Sequence, residues 1–174
     1  MARQPIVIRG VTYLLDHLEP FTLQIAGKTP ADGVCALVVT FGHHTFSQAW
    51  TDECHVDWKI DEDGEDRKFC PTRHHWSQGL NAHIRGHVKG KAYLSRDRGG
   101  RLNHMFVSKL SSASPPYVIV FQVTRANAIK GVDGQLKILS AYENDRLPKL
   151  ETFERIKFAN LVSKITGKPT AAKK

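Results

Sequence analysis

The sequence YVIVFQVTR at residues 117–125 and the sequence QLKILSAYENDRLP at residues 135–148 decide the fold. The first run carries apolar side chains on both faces from Tyr117 to Phe121, a pattern typical of a central strand. The second run alternates as a strand does, and an Asp-Gly turn signal at residues 133–134 precedes it. Together they predict an antiparallel hairpin at the centre of a sheet.

Two polar side chains lie near the end of the second strand. Simple alternation places Ser140 and Tyr142 on the same sheet face as Ile138, and the charged residues 143–146 follow. Polar groups at a strand end on a rigid scaffold are frequent sites of chemistry. The alternative is that Ser140 is a small packing residue and Tyr142 a half-buried strand aromatic.

The rest of the chain predicts one α+β domain over residues 1–166. We expect a bent antiparallel sheet with one or two helices packed on one face, and a basic, disordered tail at residues 167–174. A helix is predicted from Pro71 to Gly86, because proline suits the first helical position and apolar residues follow at helical spacing. The other strand-like runs are residues 21–26, 34–41, 87–94 and 103–107.

Cysteine usage and hydropathy bear on the cellular compartment. The three cysteines Cys35, Cys54 and Cys70 are an odd number without a signal-peptide run, which favours reduced thiols. No run of about 18 apolar residues is present, so we expect no membrane association. A cytoplasmic protein is the expectation.

Charge is spread unevenly along a chain of net charge +8. Residues 52–66 hold eight acidic residues and one basic residue, and residues 67–109 hold ten basic residues and one acidic residue. Concentrated basic residues predict a phosphate-rich partner, here RNA, although a solvated basic face is the alternative. The acidic run contains the turn signal Asp63-Gly64 and is expected to be an exposed hairpin loop.

Particular residues are candidates for contact with the nucleic acid. The helix carries a polar stripe that includes Arg73 and Ser77, which indicates either a phosphate-contacting face or the wet side of an amphipathic helix. The predicted nucleic-acid-binding residues are Ser77, Lys89, Lys91, Arg96, Arg98, Arg101, Asn103 and Arg146.

Histidines supply the candidate catalytic groups. The pair His43-His44 follows a strongly β-prone run, and histidine is the general acid and base that works near neutral pH. Cleavage of RNA by its own 2′-hydroxyl needs such a base and acid, with cations or hydrogen-bond donors around the phosphorus. The predicted catalytic residues are His43, His44, Arg73, Ser140 and Tyr142. In this set a histidine moves the proton, Arg73 grips the phosphate, and a hydroxyl donates to a phosphate oxygen.

No metal or other cofactor is expected. Cys54, Cys70 and His74 or His75 have a spacing that invites a zinc interpretation, but the close cysteine pair that makes zinc motifs specific is missing. No cysteine lies in a recognisable nucleophile signature either.

The order of several segments resembles a family of small bacterial proteins labelled "stationary phase growth adaptation protein". The segments are GHHTF at 42–46, FCPTRHHWSQGL at 69–80, NHMF at 103–106, LKILSAYENDR at 136–146 and RIKFANLVSKITGKP at 155–169. The layout is also similar to the fold of barnase, EndoU, the tRNase colicins and RelE-type toxins.

The resemblance to those toxins implies a metal-independent ribonuclease with an inhibitor or antitoxin protein as a partner. It implies a site drawn from His43 or His44, Arg73, Ser77, Asn103, Ser140 and Tyr142. Because two histidines stand where one is expected, the resemblance does not say which one acts.

The leading interpretation is an RNA-binding, toxin-like endoribonuclease that uses histidine acid/base chemistry. The alternative is a non-catalytic nucleic-acid-binding or toxin-associated accessory protein. A catalyst requires the histidines, Ser140, Tyr142 and Arg73 to meet in one cleft, whereas a binder needs only a continuous basic surface.

Overall fold

The computed structural model describes residues 3–27, 29–62, 64–97, 99–109, 114–126 and 131–170. Within them the strands are β1 (Ile6–Ile8), β2 (Val11–Tyr13), β3 (Phe21–Ala26), β4 (Val34–His44), β5 (Ser47–Ala49), β6 (Lys59–Glu62), β7 (Glu65–Phe69), β8 (Lys91–Arg96), β9 (Leu102–Lys109), β10 (Pro116–Arg125), β11 (Gly134–Glu143) and β12 (Arg155–Lys157). The helices are α1 (Pro71–Ser77), α2 (Leu80–His87) and α3 (Phe158–Thr166).

Seven strands form a curled half-barrel sheet in the order β12-β8-β9-β10-β11-β4-β3. The α+β class and the bent sheet are confirmed, and β10 is the central strand, as the sequence predicts. One pairing differs from the expected antiparallel pattern, because β4 lies parallel to β11. The long stretch of chain between these two strands imposes no hairpin, so the parallel direction is sterically open to them.

The hydrophobic core lies between one face of the sheet and the helices. Tyr117, Ile119 and Phe121 of β10 are fully buried on this face. The ring of Phe158 in α3 meets the ring of Phe121 edge-on, at 5.8 Å between centroids. Helix α1 contacts β11, and helix α2 contacts β9. All three helices therefore serve the core, which leaves the opposite face of the sheet to line a groove.

The predicted helix from Pro71 to Gly86 is two helices. Pro71 begins α1 as expected, and the break falls at Gln78 and Gly79, between α1 and α2. Glycine is a poor helix former, which is consistent with an interruption at this position. No helix in the described ranges is long and apolar enough to cross a membrane.

A β-bulge changes the face on which two predicted site residues lie. Val120 pairs with Ser140, but the next residue of β10 pairs with Ile138, so Leu139 is an extra residue in β11. The bulge moves Ser140 and Tyr142 to the face opposite Ile138. The prediction from simple alternation is therefore wrong on this point, since alternation assumes one residue per pairing position.

The acidic segment and the C-terminal segment both belong to the fold. Strands β6 and β7 form the hairpin that the Asp-Gly signal predicted, and they join β5 in a small three-stranded sheet. Thr170 is buried, its hydroxyl donates to the carbonyl oxygen of Ala159, and Nζ of Lys168 lies 3.4 Å from Asp133. The tail expected to be disordered from residue 167 is therefore ordered through Thr170, and residues 171–174 lie outside the described ranges.

Candidate active site

An open groove of about 1160 Å³ lies over the sheet face opposite the helices. It is lined by four of the predicted catalytic residues, namely His43, His44, Ser140 and Tyr142. The predicted binding residues Arg96 and Asn103 also line it. The groove thus brings together residues from β4, β8, β9 and β11, which are distant in sequence.

Two transverse rows of cross-strand neighbours cross the sheet at the groove, and most of their residues line it. The first, which we call the histidine row, runs through Tyr93, Met105, Val120, Ser140 and His44. The second, which we call the polar row, runs through Ser95, Asn103, Gln122, Lys137 and Thr40. On β8, β9 and β10 the rows are two residues apart, which separates them by about 7 Å, whereas the bulges put three residues between them on β11 and four on β4.

A second bulge, in β4, orients the histidine pair. Ile138 pairs with Phe41 and Ser140 pairs with His44, so β4 has one residue more than β11 between these positions. Consecutive side chains of a regular strand point to opposite faces. Here the rings of His43 and His44 stack at 4.6 Å between centroids, with 28° between their planes, and both residues line the groove.

Glycine at position 42 is required by the close approach of β11 at this bulge. A Cβ atom on Gly42 would lie 3.2 Å from the carbonyl oxygen of Leu139 and 3.3 Å from that of Ile138. These contacts are tighter than ordinary van der Waals distances, and both involve backbone atoms that cannot rotate away. Gly42 therefore lets the two bulged strands pack closely beside the histidines.

Burial and nearby positive charge keep one histidine neutral. Burial, followed by the charge of Arg67, lowers the pKa of His44 to about 4. Arg67 is itself buried, and its Nε donates to Oγ of Ser47. Glu65 lies 3.8 Å from both Nη1 of Arg67 and Nε2 of His43. At neutral pH the imidazole of His44 is thus uncharged and able to accept a proton.

Three residues of this cluster, His43, His44 and Glu65, are a group that could hold a metal ion. Ring nitrogens of His43 and His44 and a carboxylate oxygen of Glu65 lie within 4.8 Å of one another. A tetrahedral zinc site holds its ligand atoms about 3.3 Å apart for bonds of about 2.0 Å. Arg67 and Arg73 are both close enough to lower the pKa of His44, so the local charge favours an anion over a dication.

Arg73 lies beside the groove and contacts the end of β4. Its Nη1 donates to the carbonyl oxygens of His44 and Ser47, at 3.1 and 2.6 Å, and its guanidinium lies 5.3 Å above the ring of Tyr142. Arg73 is not among the described residues that line the groove. These contacts link the end of β4 to Tyr142, and the predicted grip on phosphate does not fit this placement.

Ser77 is misplaced in the predicted nucleic-acid-binding set. It is fully buried, and its hydroxyl donates to the carbonyl oxygen of His74. Nε2 of His17 lies 2.7 Å from the same hydroxyl oxygen. Helical spacing alone could not reveal that the segment containing His17 covers this side of α1. Ser77 is a structural residue under that segment.

The predicted basic residues are divided between the groove and other surfaces. Arg96 lines the groove, where its Nη1 donates to the carbonyl oxygen of Gly100. Arg101 is exposed and forms an ion pair with Asp97, at 2.8 Å. The predicted residues outside the groove lining are Lys89, Lys91, Arg101 and Arg146, all of them exposed. Arg98 lies outside the described residues.

Several groove residues were missed by sequence reasoning. They include Arg3, Thr40, Glu65 and Lys137, and Gln122 lies next to them, hydrogen-bonded to the groove residue Asn103. The period-two pattern did mark Gln122 and Lys137 as polar strand residues. However, the bulge in β11 hid the fact that Lys137 shares a face with Ser140. Glu65 reaches the groove only because the acidic hairpin folds back beside His43, which no local pattern in the sequence indicates.

A sequence model of the YjaZ family matches residues 5–166. The chain belongs to the YjaZ family. The match includes residues 42–166, most of the stretch on which the expected family resemblance rests. Comparison with curated proteins and with solved structures gives no match. The resemblance of this YjaZ family member to ribonuclease toxins stays a prediction.

Proposed function

We propose that this YjaZ family domain binds RNA in the groove and cleaves it, as a toxin-like endoribonuclease, by metal-independent acid/base chemistry. The observation that carries the proposal is the pairing of His44 with Ser140 in the lining of the groove, with His43 stacked on His44. Two adjacent imidazoles beside hydroxyl donors are the set that transfer within RNA requires.

The chemistry begins with the RNA 2′-hydroxyl. The neutral imidazole of His44 takes the proton from this hydroxyl while its oxygen attacks the adjacent phosphorus. The bond from phosphorus to the 5′-oxygen breaks, and protonated His43 gives a proton to that leaving oxygen. Ser140 and Tyr142 donate hydrogen bonds to the non-bridging phosphate oxygens, where negative charge increases in the transition state. The products are a 2′,3′-cyclic phosphate and a 5′-hydroxyl.

Glu65, at the start of β7 in the acidic hairpin, places a carboxylate beside the two histidines. It forms an ion pair with His43 whenever that imidazole is protonated, at 3.8 Å from Nε2. The same carboxylate faces Arg67, also at 3.8 Å. A carboxylate in this position can orient the imidazole that serves as the acid. The acidic segment therefore contributes one carboxylate, that of Glu65, to the chemistry.

Positive charge in the groove supports an anionic ligand. Arg3, Arg96 and Lys137 line it, against the two carboxylates of Glu65 and Asp97. Because a protein that neutralises several phosphates releases counterions, affinity for RNA should fall steeply as salt increases. Charge reversal at Lys137 should weaken binding more than charge reversal at Lys89, which is exposed outside the groove lining.

The second candidate function is RNA binding without cleavage. It is favoured by the pKa of His44, about 4, which lies below the range near neutrality where proton transfer by a general base is most efficient. An accessory protein of this kind would use the same groove and the same charges. The proposed inhibitor or antitoxin partner follows from the resemblance to toxins and applies to the catalytic candidate.

Incubation of the purified protein with a short RNA, with and without EDTA, tests the proposal. We expect cleavage in both samples, and mass spectrometry should show the 2′,3′-cyclic phosphate. An oligonucleotide with 2′-O-methyl groups should bind without being cleaved, because it lacks the nucleophile. Salt-dependent binding without any cleavage of the unmodified RNA would select the accessory function, and cleavage abolished by EDTA would contradict the metal-independent mechanism.

A further inference from the structure

The polar row contains a hydrogen-bonded amide pair that the proposed cleavage chemistry does not use. Nε2 of Gln122 donates to Oδ1 of Asn103 at 2.7 Å. Asn103 is almost completely buried, with 4% of its surface exposed, and it lines the groove. Its amide is therefore held in one orientation by a neighbouring strand. A buried, oriented amide at the floor of an open groove is a feature suited to recognition.

The polar side-chain atoms that take no part in the hydrogen bond between Asn103 and Gln122, together with Lys137, follow a defined order across the strands. Nδ2 of Asn103 is a donor, Oε1 of Gln122 is an acceptor, and Nζ of Lys137 on the next strand is again a donor. The row thus presents donor, acceptor and donor on three adjacent strands. The Watson–Crick edge of uracil carries O4, N3–H and O2, which are acceptor, donor and acceptor in sequence.

The other bases fit this order less well. The edges of adenine and cytosine begin with an exocyclic amino donor and place a ring-nitrogen acceptor next to it. Guanine has two adjacent donors, of which the second would face the ammonium of Lys137. A mismatched base leaves the amide of Asn103 or Gln122 unpaired in the groove, and sites built to hydrogen-bond a base discriminate strongly for this reason.

We propose that Asn103, Gln122 and Lys137 form a subsite that reads the Watson–Crick edge of an unpaired uracil. The inference rests on the proposed function, and it names the nucleotide that the site selects. On β9 and β10, the strands that carry the amide pair, the polar row lies about 7 Å from the histidine row. A nucleotide whose phosphate contacts His44 and Ser140 can therefore place its base over the amide pair. A base already paired in a duplex has no free Watson–Crick edge, so the substrate is single-stranded at this nucleotide.

The test uses four RNA oligonucleotides that differ only in one central base within an otherwise constant sequence. The 2′-O-methyl forms measure binding, and the unmodified forms measure cleavage after that base. The parent protein should prefer uracil by about tenfold or more over each other base, in the range of one good bidentate base contact. Hybridisation of the uracil oligonucleotide to its complement should abolish that preference.

Two variants and two matched controls test whether Asn103 and Lys137 determine the preference for uracil. Asn103→Asp replaces the Nδ2 donor by an acceptor, and Lys137→Met removes the second donor at an exposed position. Both should reduce the preference for uracil to about threefold or less. Asn160→Asp and Lys164→Met make the same changes at exposed positions of α3 and should keep the parent preference.

The outcomes separate the subsite from the cleavage chemistry. Equal binding and cleavage of all four bases would overturn the subsite and leave the proposed function standing, as would an unchanged preference in Lys137→Met. Preferred binding of uracil without cleavage of any RNA would support the subsite and contradict the proposed catalysis. A preference for cytosine would overturn the assignment of donor and acceptor atoms.

Discussion

Replacement of Arg73 by alanine tests whether this residue positions the site or binds the substrate. The side chain makes two charge-assisted hydrogen bonds to backbone carbonyls, of His44 and Ser47, and a cation–π contact with Tyr142. Taking about 1.5 kcal/mol for each bond and about 0.5–1 kcal/mol for the ring contact, Arg73→Ala should lower the free energy of unfolding by about 3–4 kcal/mol. For a domain of this size, that corresponds to a fall in Tm of roughly 10 °C.

Urea unfolding and thermal denaturation of the parent and the variant measure this effect directly. Arg73→Lys is the informative control, because lysine keeps the charge and loses the planar group that bonds two carbonyls and stacks on the ring. It should lose at least half as much stability as Arg73→Ala. If Arg73→Ala unfolds at the parent temperature and loses only RNA cleavage, Arg73 contacts the substrate and the positioning role is refuted.

Three further predictions concern pH, the bulge and the cysteines. Burial lowers the pKa of His17 from 6.5 to about 4. Because the unfolded chain takes up this proton first, stability should fall as pH drops from about 6.5 towards 4. His17→Gln should flatten that loss in urea unfolding at pH 7 and pH 5, and an identical loss in both proteins would exclude His17 as its source. Gly42→Ala should lower the free energy of unfolding by about 1–3 kcal/mol. Gly86→Ala should be neutral or stabilising, because a Cβ atom added at Gly86 contacts nothing. Equal Tm values for the two variants would contradict the close approach at the bulge. Hydrogen bonds from Thr51 lower the pKa of Cys54, and burial raises the pKa of Cys35. Iodoacetamide should therefore alkylate Cys54 first and Cys35 last, as followed by mass spectrometry. The reverse order would contradict the described environments of the two thiols.

Much of the sheet is predictable from the sequence, because its strands follow the period-two pattern closely. The run Phe21–Ala26 is β3 with the expected limits, and the apolar run on both faces of residues 117–121 marks the central strand. These signals are local, since burial on one or both faces of a strand is imposed residue by residue. The parallel direction of β4 against β11 is a long-range feature, and no local signal carries it.

The candidate site was predictable only in part, for a related physical reason. The strand-end positions of His44 and Ser140 suggested that they meet, and the structure places them as cross-strand neighbours. The two bulges, which decide that His43 and Tyr142 also face the groove, depend on how neighbouring strands pack and leave no mark in the alternation. The burial of Ser77 likewise depends on a segment some 60 residues away in sequence.

The rate of RNA cleavage by a variant with His43 and His44 both replaced by alanine tests the central claim most directly. The matched control replaces His55 and His75, two exposed histidines outside the groove lining. With EDTA present, the His43→Ala/His44→Ala protein should cleave at least about 10²-fold more slowly than the parent, as expected when general acid and base are lost, and the control should cleave at the parent rate. Cleavage by the double variant at the parent rate, with both proteins folded by circular dichroism, would contradict the assignment of the histidine pair as the catalytic groups.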